Sequence, residues 1–360
     1  MKILILGDVV PTFVTDPIFK NKDVKTLFGD TVSLFEDNDV NFVNLECALT
    51  ESDSAIKKIG PNLKGCPETA EVLASVGVNV CGLSNNHVYD FGRQGATDTL
   101  EALEKNGIRY TGFGMNYADS RRDLMLELDG ERVAVIAVCE HEYSYALPDR
   151  MGSRPYDEAT FADIIKAKKE YGHVIVIYHG GKEFCRYPSP RLRRLCRSMV
   201  DCGADAVICQ HSHCVGCYEE YNGSHILYGQ GNAHFVKPHK QECWRDGLAV
   251  RYDTVSRKME FVCLAVNEKG IELAKGERLA EIENGFAARN AELQNGGWLD
   301  GWRAFCREMA SVYTNVITNA GTDPDDPEKD HFFAHYLDCE AHTDVWRELY
   351  KTAHLVEDTW

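Results

Sequence analysis

Long apolar runs are scarce in this sequence. The chain begins MKILILGD, a run of only a few apolar residues with no cleavage site behind it, which argues against a signal peptide. No window approaches the roughly 20 apolar residues that a membrane-spanning helix needs. We therefore expect a cytoplasmic protein that makes no membrane contact.

Positive charge is also in short supply. Lys and Arg number 39 against 56 Asp and Glu, which gives a formal net charge of -17. An acidic surface repels the phosphate backbone of nucleic acids, so a nucleic-acid-binding function is disfavoured. A small anionic substrate is still compatible with this charge, because a bound metal ion reverses the local field.

A disulfide framework is lacking as well. The 14 cysteines are scattered over 360 residues and lie mostly inside apolar runs, which is typical of reduced core residues. Cys214 and Cys217 are close in sequence, but no second pair stands at the spacing of a zinc knuckle. Cysteine chemistry is therefore a weak hypothesis for the function.

The sequence does contain an alternation of strand-like and helix-like segments. Apolar runs such as KILILGD, RVAVIAV and HVIVIYHG predict buried strands, and the stretches between several such runs predict helices. This alternation predicts an α/β fold whose sheet has a large parallel component and helices on its faces. After His213 the pattern changes to strand pairs, with Asn222-Gly223 as a hairpin turn.

The C-terminal part of the sequence predicts helices rich in Glu, Arg and Ala. We therefore divide the chain into a first domain, residues 1–270, and a helical extension, residues 271–360. Such an extension can bury an apolar face against the first domain or against a second copy of the chain, so a homodimer stays open. Most of the following residues fall on one helical face: Trp298, Trp302, Phe305, Val312 and Tyr313.

Carboxylate, amide and imidazole groups recur just past the ends of the predicted strands. Ligands bind beyond the carboxyl ends of the strands in open α/β sheets, so we expect these groups at one edge. They are the ligand types that zinc, manganese and iron(II) accept. The residues are Asp8, Asn44, Glu46, Asn85, Asn86, His87, Asp90, His179, His211 and His213.

Each of these residues has a simpler explanation when it is taken alone. Asp8 is equally typical of a cap or turn, and Glu46 of a solvated strand end. His87 alone is more typical of a core histidine bonded to a carbonyl. His211 and His213 are harder to dismiss, because alternate residues of an extended strand point the same way. The probability that every strand end has its own unrelated explanation is small, so the joint occurrence of these residues favours a metal site.

Four segments resemble a known family. GLSNNHVYDFG is similar to the Asn-Asn-His-x-x-Asp-x-Gly block of bacterial CapA-like proteins of capsule and poly-γ-glutamate synthesis, which carry a calcineurin-like metallophosphoesterase domain. NLECALT, IYHGGKEF and QHSHCVG resemble that family's Asn-Leu-Glu, His-x-Gly-x-Glu and His-x-His blocks, in the family's order. The resemblance covers roughly residues 1–265 and implies a sandwich of sheets flanked by helices.

The resemblance also implies a role for each matching residue. Asp8 and Glu46 would be carboxylate ligands, with Glu46 between two metal positions. His87 would act as a general acid that Asp90 orients. The cofactor would be one or two divalent ions of manganese, zinc or iron. One metal position would be completed by Asn86, His179 and His211, and the other by His213.

The sequence departs from the wider superfamily at the first motif. Asp8-Val9-Val10 stands where the superfamily has Asp-x-His, so one histidine ligand is missing, and Glu46 stands where most members have Asp. This leaves open whether one or two metals bind. Weaker candidates for substrate contact are Glu183, Arg186 and Asn232, followed by His234 and His239.

Three functions fit these observations. The leading hypothesis is a metal-dependent hydrolase that cleaves a phosphate ester through a metal-activated water. The alternative is a CapA-like factor that acts on or binds poly-γ-glutamate or capsule material without phosphatase activity. A third is a binding protein that retains metal without turnover and uses its helical extension as a partner surface.

Overall fold

The computed structural model describes residues 1–140, 143–320 and 327–351. Its β-strands are β1 Lys2–Val9, β2 Val40–Leu45, β3 Ala48–Leu49, β4 Lys64–Gly65, β5 Val80–Gly82, β6 Arg109–Thr111, β7 Phe113–Gly114, β8 Leu124–Leu128, β9 Glu131–Cys139, β10 Gly152–Ser153, β11 His173–His179, β12 Ala206–Gln210, β13 Tyr218–Tyr221, β14 Ser224–Leu227, β15 Asn232–His234, β16 Asp246–Asp253, β17 Lys258–Val266 and β18 Ile271–Leu273.

The helices follow the same alternation with the strands. They are α1 Asp16–Lys20, α2 Val24–Phe28, α3 Glu68–Ser75, α4 Gly92–Lys105, α5 Tyr117–Ser120, α6 Ala159–Glu170, α7 Pro190–Asp201, α8 Gly276–Asn295, α9 Trp298–Asn319, α10 Pro327–Asp338 and α11 Glu340–Tyr350. No helix within the described residues is long and apolar enough to cross a bilayer. The cytoplasmic location stays a prediction.

Two large sheets contain most of the strands. The first has the order β18-β17-β16-β1-β2-β5-β6, with β15 also paired to β1, and its strands β1, β2, β5 and β6 run parallel. The second has the order β13-β14-β12-β11-β9-β8, with a parallel centre of β9, β11 and β12. The predicted parallel component is confirmed.

The central strands are buried on both faces, and alternate side chains enter different cores. Ile5 of β1 and Ile175 of β11 belong to the core between the two sheets. Leu6 packs under helices α1 to α4 with residues such as Phe19, whereas Val176 packs under α6 and α7. Because strand side chains alternate in direction, this partition produces a helix–sheet–sheet–helix sandwich. The predicted sandwich flanked by helices is confirmed.

Two buried amides join the sheets beside the strand ends. Gln210, at the end of β12, donates from Nε2 to the Leu6 carbonyl at 3.2 Å and to Gln230 Oε1 at 2.9 Å. Gln230 Nε2 in turn donates to the Ile5 carbonyl at 2.7 Å. These bonds satisfy polar groups inside an apolar core, so they fix the end of β12 relative to β1.

The helical extension packs on its own chain. Trp302 and Tyr313 of α9 are buried in one cluster with Cys185, which lies in the loop between β11 and α7. Asp344 of α11 accepts hydrogen bonds from Ser189 Oγ at 2.6 Å and from Arg191 Nε at 2.9 Å. The apolar face predicted from the sequence is therefore buried largely within the chain. These contacts give no support to the homodimer, and the boundary at residue 270 stays a prediction.

Candidate metal centre

The carboxyl ends of the parallel strands bring the predicted ligands together. In the first sheet, Asp8 lies next to the end of β1, and Glu46 directly follows β2. In the second sheet, the histidines come from the end of β11 and from the turn after β12. Ligand atoms of Glu46, His179 and His211 all lie within 4.8 Å of one another, and so do those of Asp8, Glu46 and His213. Glu46 is common to both groups.

The contacts within the cluster are short. His179 Nε2 lies 3.2 Å from Glu46 Oε1, 3.2 Å from His211 Nδ1 and 2.9 Å from Asn86 Oδ1. His213 Nδ1 lies 3.3 Å from Asp8 Oδ2. Imidazole nitrogens, carboxylate oxygens and one amide oxygen therefore face a common space.

Both carboxylate oxygens of Glu46 are buried, and the donors that approach them among the described residues are the rings of His179 and His211, at 3.2 and 3.9 Å from Oε1 and without good hydrogen-bond alignment. A buried carboxylate without well-aligned donors is costly, so native structures pair such groups or bind a cation. The surrounding imidazole, carboxylate and amide donors are the ligand set for zinc, manganese or iron(II). The residues present thus fit a divalent metal.

The charges of the cluster favour a cation. Burial opposes ionisation of Glu46, but the rings of His213 and His179 outweigh it and hold the pKa of this carboxyl well below its usual value. Burial likewise opposes a charge on His213, but Glu46 and Asp8 raise the pKa of this ring to about 9. The ionised carboxylates of Glu46 and Asp8 therefore attract a positive charge, which the ring of His213 supplies as a proton and which a metal ion would supply in its place.

The two histidines after β12 converge by a route that the sequence did not predict. The strand ends at Gln210, and His211 and His213 have left-handed backbones, with φ of 84° and 52°. The prediction that they alternate on an extended strand is therefore wrong. Their ring centroids still lie 6.0 Å apart. A left-handed backbone costs energy for a residue with a side chain, and such strain is concentrated at functional sites.

Asn44 and Asn85 form a layer of amides behind the ligands. Asn44 Nδ2 lies 2.7 Å from Asp8 Oδ1 and 3.2 Å from His179 Nδ1. Asn85 donates to Asn44 Oδ1 at 3.2 Å, and its own Oδ1 accepts from the backbone NH of His87 at 3.1 Å. These bonds orient ligands from both sheets, as second-layer groups do in metal sites.

His87 is held by Asp90 and by a lysine that the sequence reasoning missed. His87 Nδ1 lies 2.6 Å from Asp90 Oδ2, and Lys58 Nζ donates to Asp90 Oδ1 at 2.6 Å. Burial and the Lys58 ammonium together lower the pKa of His87. Lys58 precedes the His87 motif by 29 residues in a segment without regular structure, so no local pattern marked it.

A cavity of about 210 Å³ opens beside the cluster. Asn86, His87 and His211 line it, together with the weak candidate Glu183. Residues of α10 and α11 line it as well, and sequence reasoning did not associate them with the site. The helical extension is thus part of the surroundings of the candidate metal centre.

The other weak candidates lie elsewhere. Asn232 Oδ1 is 2.9 Å from His213 Nδ1, the ring nitrogen that also faces Asp8, and Asn232 does not line the cavity. Arg186 faces Asp246 at 4.0 Å and does not line the cavity. His239 stacks on Trp244, and His234 is fully buried between Phe19 and Phe28. Val10, at the position of the missing histidine, is a core residue.

The strand-end cluster, with its shared carboxylate and paired histidines, lies in an α/β fold whose two sheets both contribute potential metal ligands. The profile of the family described as "Bacterial capsule synthesis protein PGA_cap" matches residues 2–237, and the chain belongs to this family. The matched range includes every predicted ligand.

Two curated relatives have the same degree of similarity. "PGA biosynthesis protein CapA" of Bacillus subtilis is 28% identical over 254 residues, which is 69% of this chain and 66% of the relative. "Capsule biosynthesis protein CapA" of Bacillus anthracis is 28% identical over 275 residues, or 72% of this chain and 64% of the relative. The chain thus spans just under two thirds of the length of these relatives.

Solved structures show only distant similarity. A putative 5'-nucleotidase from Staphylococcus aureus matches with a TM-score of 0.42 and 13% identity over 79% of this chain and 58% of that chain. A hypothetical protein from Thermus thermophilus matches with a TM-score of 0.41 and 14% identity over 76% of this chain and 96% of that chain.

Proposed function

We propose that the chain is a metal-dependent hydrolase that cleaves a phosphate ester. One observation carries the proposal: Glu46 is buried, is shared by two groups of potential ligands, and meets no hydrogen-bond donor among the described residues other than the histidine rings of the same cluster. A carboxylate in this position is suited to hold one ion or to bridge two. Whether one or two bind depends on the Asp8 side, which has only His213 besides the two carboxylates.

The ligands would be Asp8, Glu46, Asn86, His179, His211 and His213. A divalent ion bound there would polarise a phosphoryl oxygen and supply a water of lowered pKa as nucleophile. Asn44 and Asn85 keep the ligand side chains oriented. Burial of the cluster keeps competing water away and strengthens its electrostatic interactions.

His87 is the proposed proton donor to the leaving oxygen. Its Nδ1 faces Asp90, which fixes the tautomer, so Nε2 is left to serve the substrate. Lys58 and burial disfavour the charged ring when no substrate is present. An anionic ester in the adjoining cavity offsets the lysine charge and so favours the protonated ring at the stage where a proton is needed.

The second candidate function comes from the relatives. Two of them are named for capsule or PGA biosynthesis, and the family is named for capsule synthesis. The alternative proposal is therefore a factor that binds or processes poly-γ-glutamate or capsule material without phosphatase activity. In this case the metal would organise the site for a polymer of carboxylates instead of a phosphate ester.

The test combines elemental analysis with turnover. We expect one or two equivalents of manganese, zinc or iron per chain and hydrolysis of a simple phosphate ester after manganese is added. Protein that contains metal but binds poly-γ-glutamate and cleaves no phosphate ester would support the alternative. Protein that takes up no divalent metal at all would contradict both forms of the proposal.

A further inference from the structure

The helical extension forms one wall of the cavity beside the candidate metal centre. Tyr336 of α10 and His342 of α11 line the cavity together with His87 and His211. Neither helix falls within the range matched by the family profile, which ends at residue 237. The wall is thus a feature of this chain that the family similarity does not describe.

This wall is anchored to the strand-end loops. Asp344 of α11 bonds Arg191, and Arg191 also pairs with the buried Glu140. Glu140 accepts from the backbone NH of Gly181 at 2.7 Å, and Gly181 itself lines the cavity. Because charged hydrogen bonds of this kind are strong, α11 and the loop after His179 form one connected unit.

A second set of contacts holds α10 against the other helices. Tyr313 OH of α9 lies 2.7 Å from His342 Nδ1, and the ring of Tyr336 stacks on that of His342 with centroids 3.8 Å apart. Trp346 Nε1 donates to the Tyr336 carbonyl at 2.9 Å. The position of the Tyr336 side chain is therefore set by its neighbours in the extension.

Two lysines and the carboxylate of Glu183 line the cavity. Lys58 is nearly inaccessible and pairs with Asp90 at 2.6 Å. Lys182 is half-buried and forms no ion pair within hydrogen-bonding distance in the part of the chain that the structure describes. Burial opposes ionisation of the neighbouring Glu183, but the Lys182 ammonium helps to lower the pKa of that carboxyl. An ammonium that is not held in a close ion pair can turn towards an anion in the same cavity.

The size of the cavity limits what it can hold. Its volume of about 210 Å³ is below the roughly 300–1,000 Å³ of pockets that enclose drug-sized ligands. The wall residue Tyr336 is buried and stands beside Ala341, so the space on this side is bounded by packed side chains. A compact anion fits such a space, whereas a group with two large substituents does not.

We propose that α10 and α11 form the wall of the cavity that limits which substrates bind at this site. Lys182 binds the charge of a compact anionic ester, and Tyr336 excludes bulky esters and the interior of a polymer chain. The inference rests on the proposed function, because it names the class of substrate for the same centre.

Binding measurements test this without any need for turnover. The manganese-loaded chain is titrated calorimetrically with inorganic phosphate and with diphenyl phosphate. We expect wild type to bind phosphate and to exclude diphenyl phosphate. Lys182→Gln should weaken phosphate binding by about 10-fold or more, the usual range for a charged hydrogen bond. Tyr336→Ala should admit diphenyl phosphate, whereas its neighbour Leu337→Ala, at a side chain 54% exposed, should behave as wild type.

The outcomes separate this inference from the hydrolase proposal. Failure of wild type to cleave any ester would contradict the hydrolase proposal. The titrations would still test whether Lys182 binds the anion and whether Tyr336 excludes bulky ligands. Unchanged phosphate affinity in Lys182→Gln, or diphenyl phosphate binding by wild type, would overturn the inference. Displacement of bound phosphate by poly-γ-glutamate with blocked ends would also overturn the inference, because only the interior of that polymer could then occupy the cavity. If Tyr336→Ala does not fold, Ala341→Leu, which fills the cavity from the same wall, should abolish phosphate binding with metal content unchanged.

Discussion

Glu46 and His234 are two buried polar residues that lie close to the end of β1 and differ in their surroundings. The polar atoms of both side chains lack a well-aligned hydrogen bond within the described part of the chain. Glu46 faces the ring of His179 at 3.2 Å in the strand-end cluster. His234 lies among hydrocarbon, with the rings of Phe19 and Phe28 at centroid distances of 5.0 and 5.4 Å.

The difference shows when an unpaired buried group indicates a ligand. The neighbours of Glu46 have lone pairs directed at the same space, so a single cation satisfies several of them together. The polar neighbours of the His234 ring are backbone carbonyls, its own and that of Leu27, and no carboxylate or second imidazole is among the groups that shift its pKa. Burial lowers the pKa of this ring to about 4, so it stays neutral. An unpaired polar atom is therefore informative only together with the chemistry around it.

Removal of the Glu46 charge is the sharpest test of this comparison. We expect Glu46→Gln to reduce bound metal to background, because the change removes a ligand from both groups and leaves Asp8 and the histidines without their common partner. Elemental analysis after dialysis against manganese measures the effect. Glu36→Gln, at an exposed position, is the control and should keep the wild-type metal content. Stoichiometric metal in Glu46→Gln would show that the cluster is not the site.

Replacement of His87 separates proton transfer from metal binding in the same region. We expect His87→Ala to retain metal and to reduce turnover by about 100- to 10,000-fold, the typical contribution of a general acid. Steady-state kinetics with esters of different leaving groups checks this role, because a very acidic leaving group needs no proton and should lose less. An equal loss of turnover for every leaving group would argue against the acid role of His87. The control is His225→Ala, because His225 is a buried histidine that does not line the cavity, and this variant measures the effect of lost packing alone.

The amides behind the ligands should have a smaller effect. Asn44→Ala removes contacts to Asp8 and His179 and should weaken metal binding by roughly 10- to 100-fold, as is usual for second-layer groups. Asn41→Ala is a matched control, since Asn41 is a buried asparagine at the opposite end of the same strand. A competition titration with a metal indicator compares the two. Similar affinities in both variants would assign Asn44 a purely structural role.

The smallest effect on metal binding is expected at His234, where the comparison predicts a change in stability and none in metal content. The folded-state pKa is about 4, below the ordinary value of 6.5, so protonation favours the unfolded chain. Stability from this group is complete above about pH 6.5 and is lost as the pH falls towards 4, up to about 3 kcal/mol. His234→Phe should therefore unfold less readily than wild type at pH 4.5 and similarly at pH 8, without any change in metal content.

Urea unfolding at the two pH values measures this difference. Because other groups also titrate in this range, the informative quantity is the difference between variant and wild type. A difference that does not change between pH 8 and pH 4.5 would show that His234 is not the group responsible. Loss of metal in His234→Phe would contradict the conclusion that His234, unlike Glu46, has no part in metal binding.

The strand-end ligands could be predicted because each lies next to a local pattern. Asp8 follows a buried run, and His179 ends another, so the general rule for parallel sheets placed them at one edge. The backbone of His211 could not be predicted, because its left-handed conformation depends on the turn that follows Gln210 and not on hydrophobic alternation. Sequence reasoning therefore found the residues and missed how two of them converge.

Residues that reach the site through tertiary packing left no local signal. Lys58 lies in an irregular segment, and Glu140 follows a strand in the same way as many solvated carboxylates do. Tyr336 lies in the extension, for which the sequence predicted helices with an apolar face, and its side chain is buried there. Its position beside the cavity depends on how α10 packs against α9 and α11, and a helical pattern specifies a buried face without specifying its neighbour.

The candidate centre lies on the seam between the two sheets. Asp8 belongs to the first sheet and His211 follows a strand of the second, 203 positions later in the chain. An ion coordinated from both sides would cross-link the two halves of the sandwich at the edge where the buried amides of Gln210 and Gln230 already join them. Its departure would loosen this edge first, so backbone amides around residues 210–213 should exchange with solvent deuterium faster than those at the middle of β11.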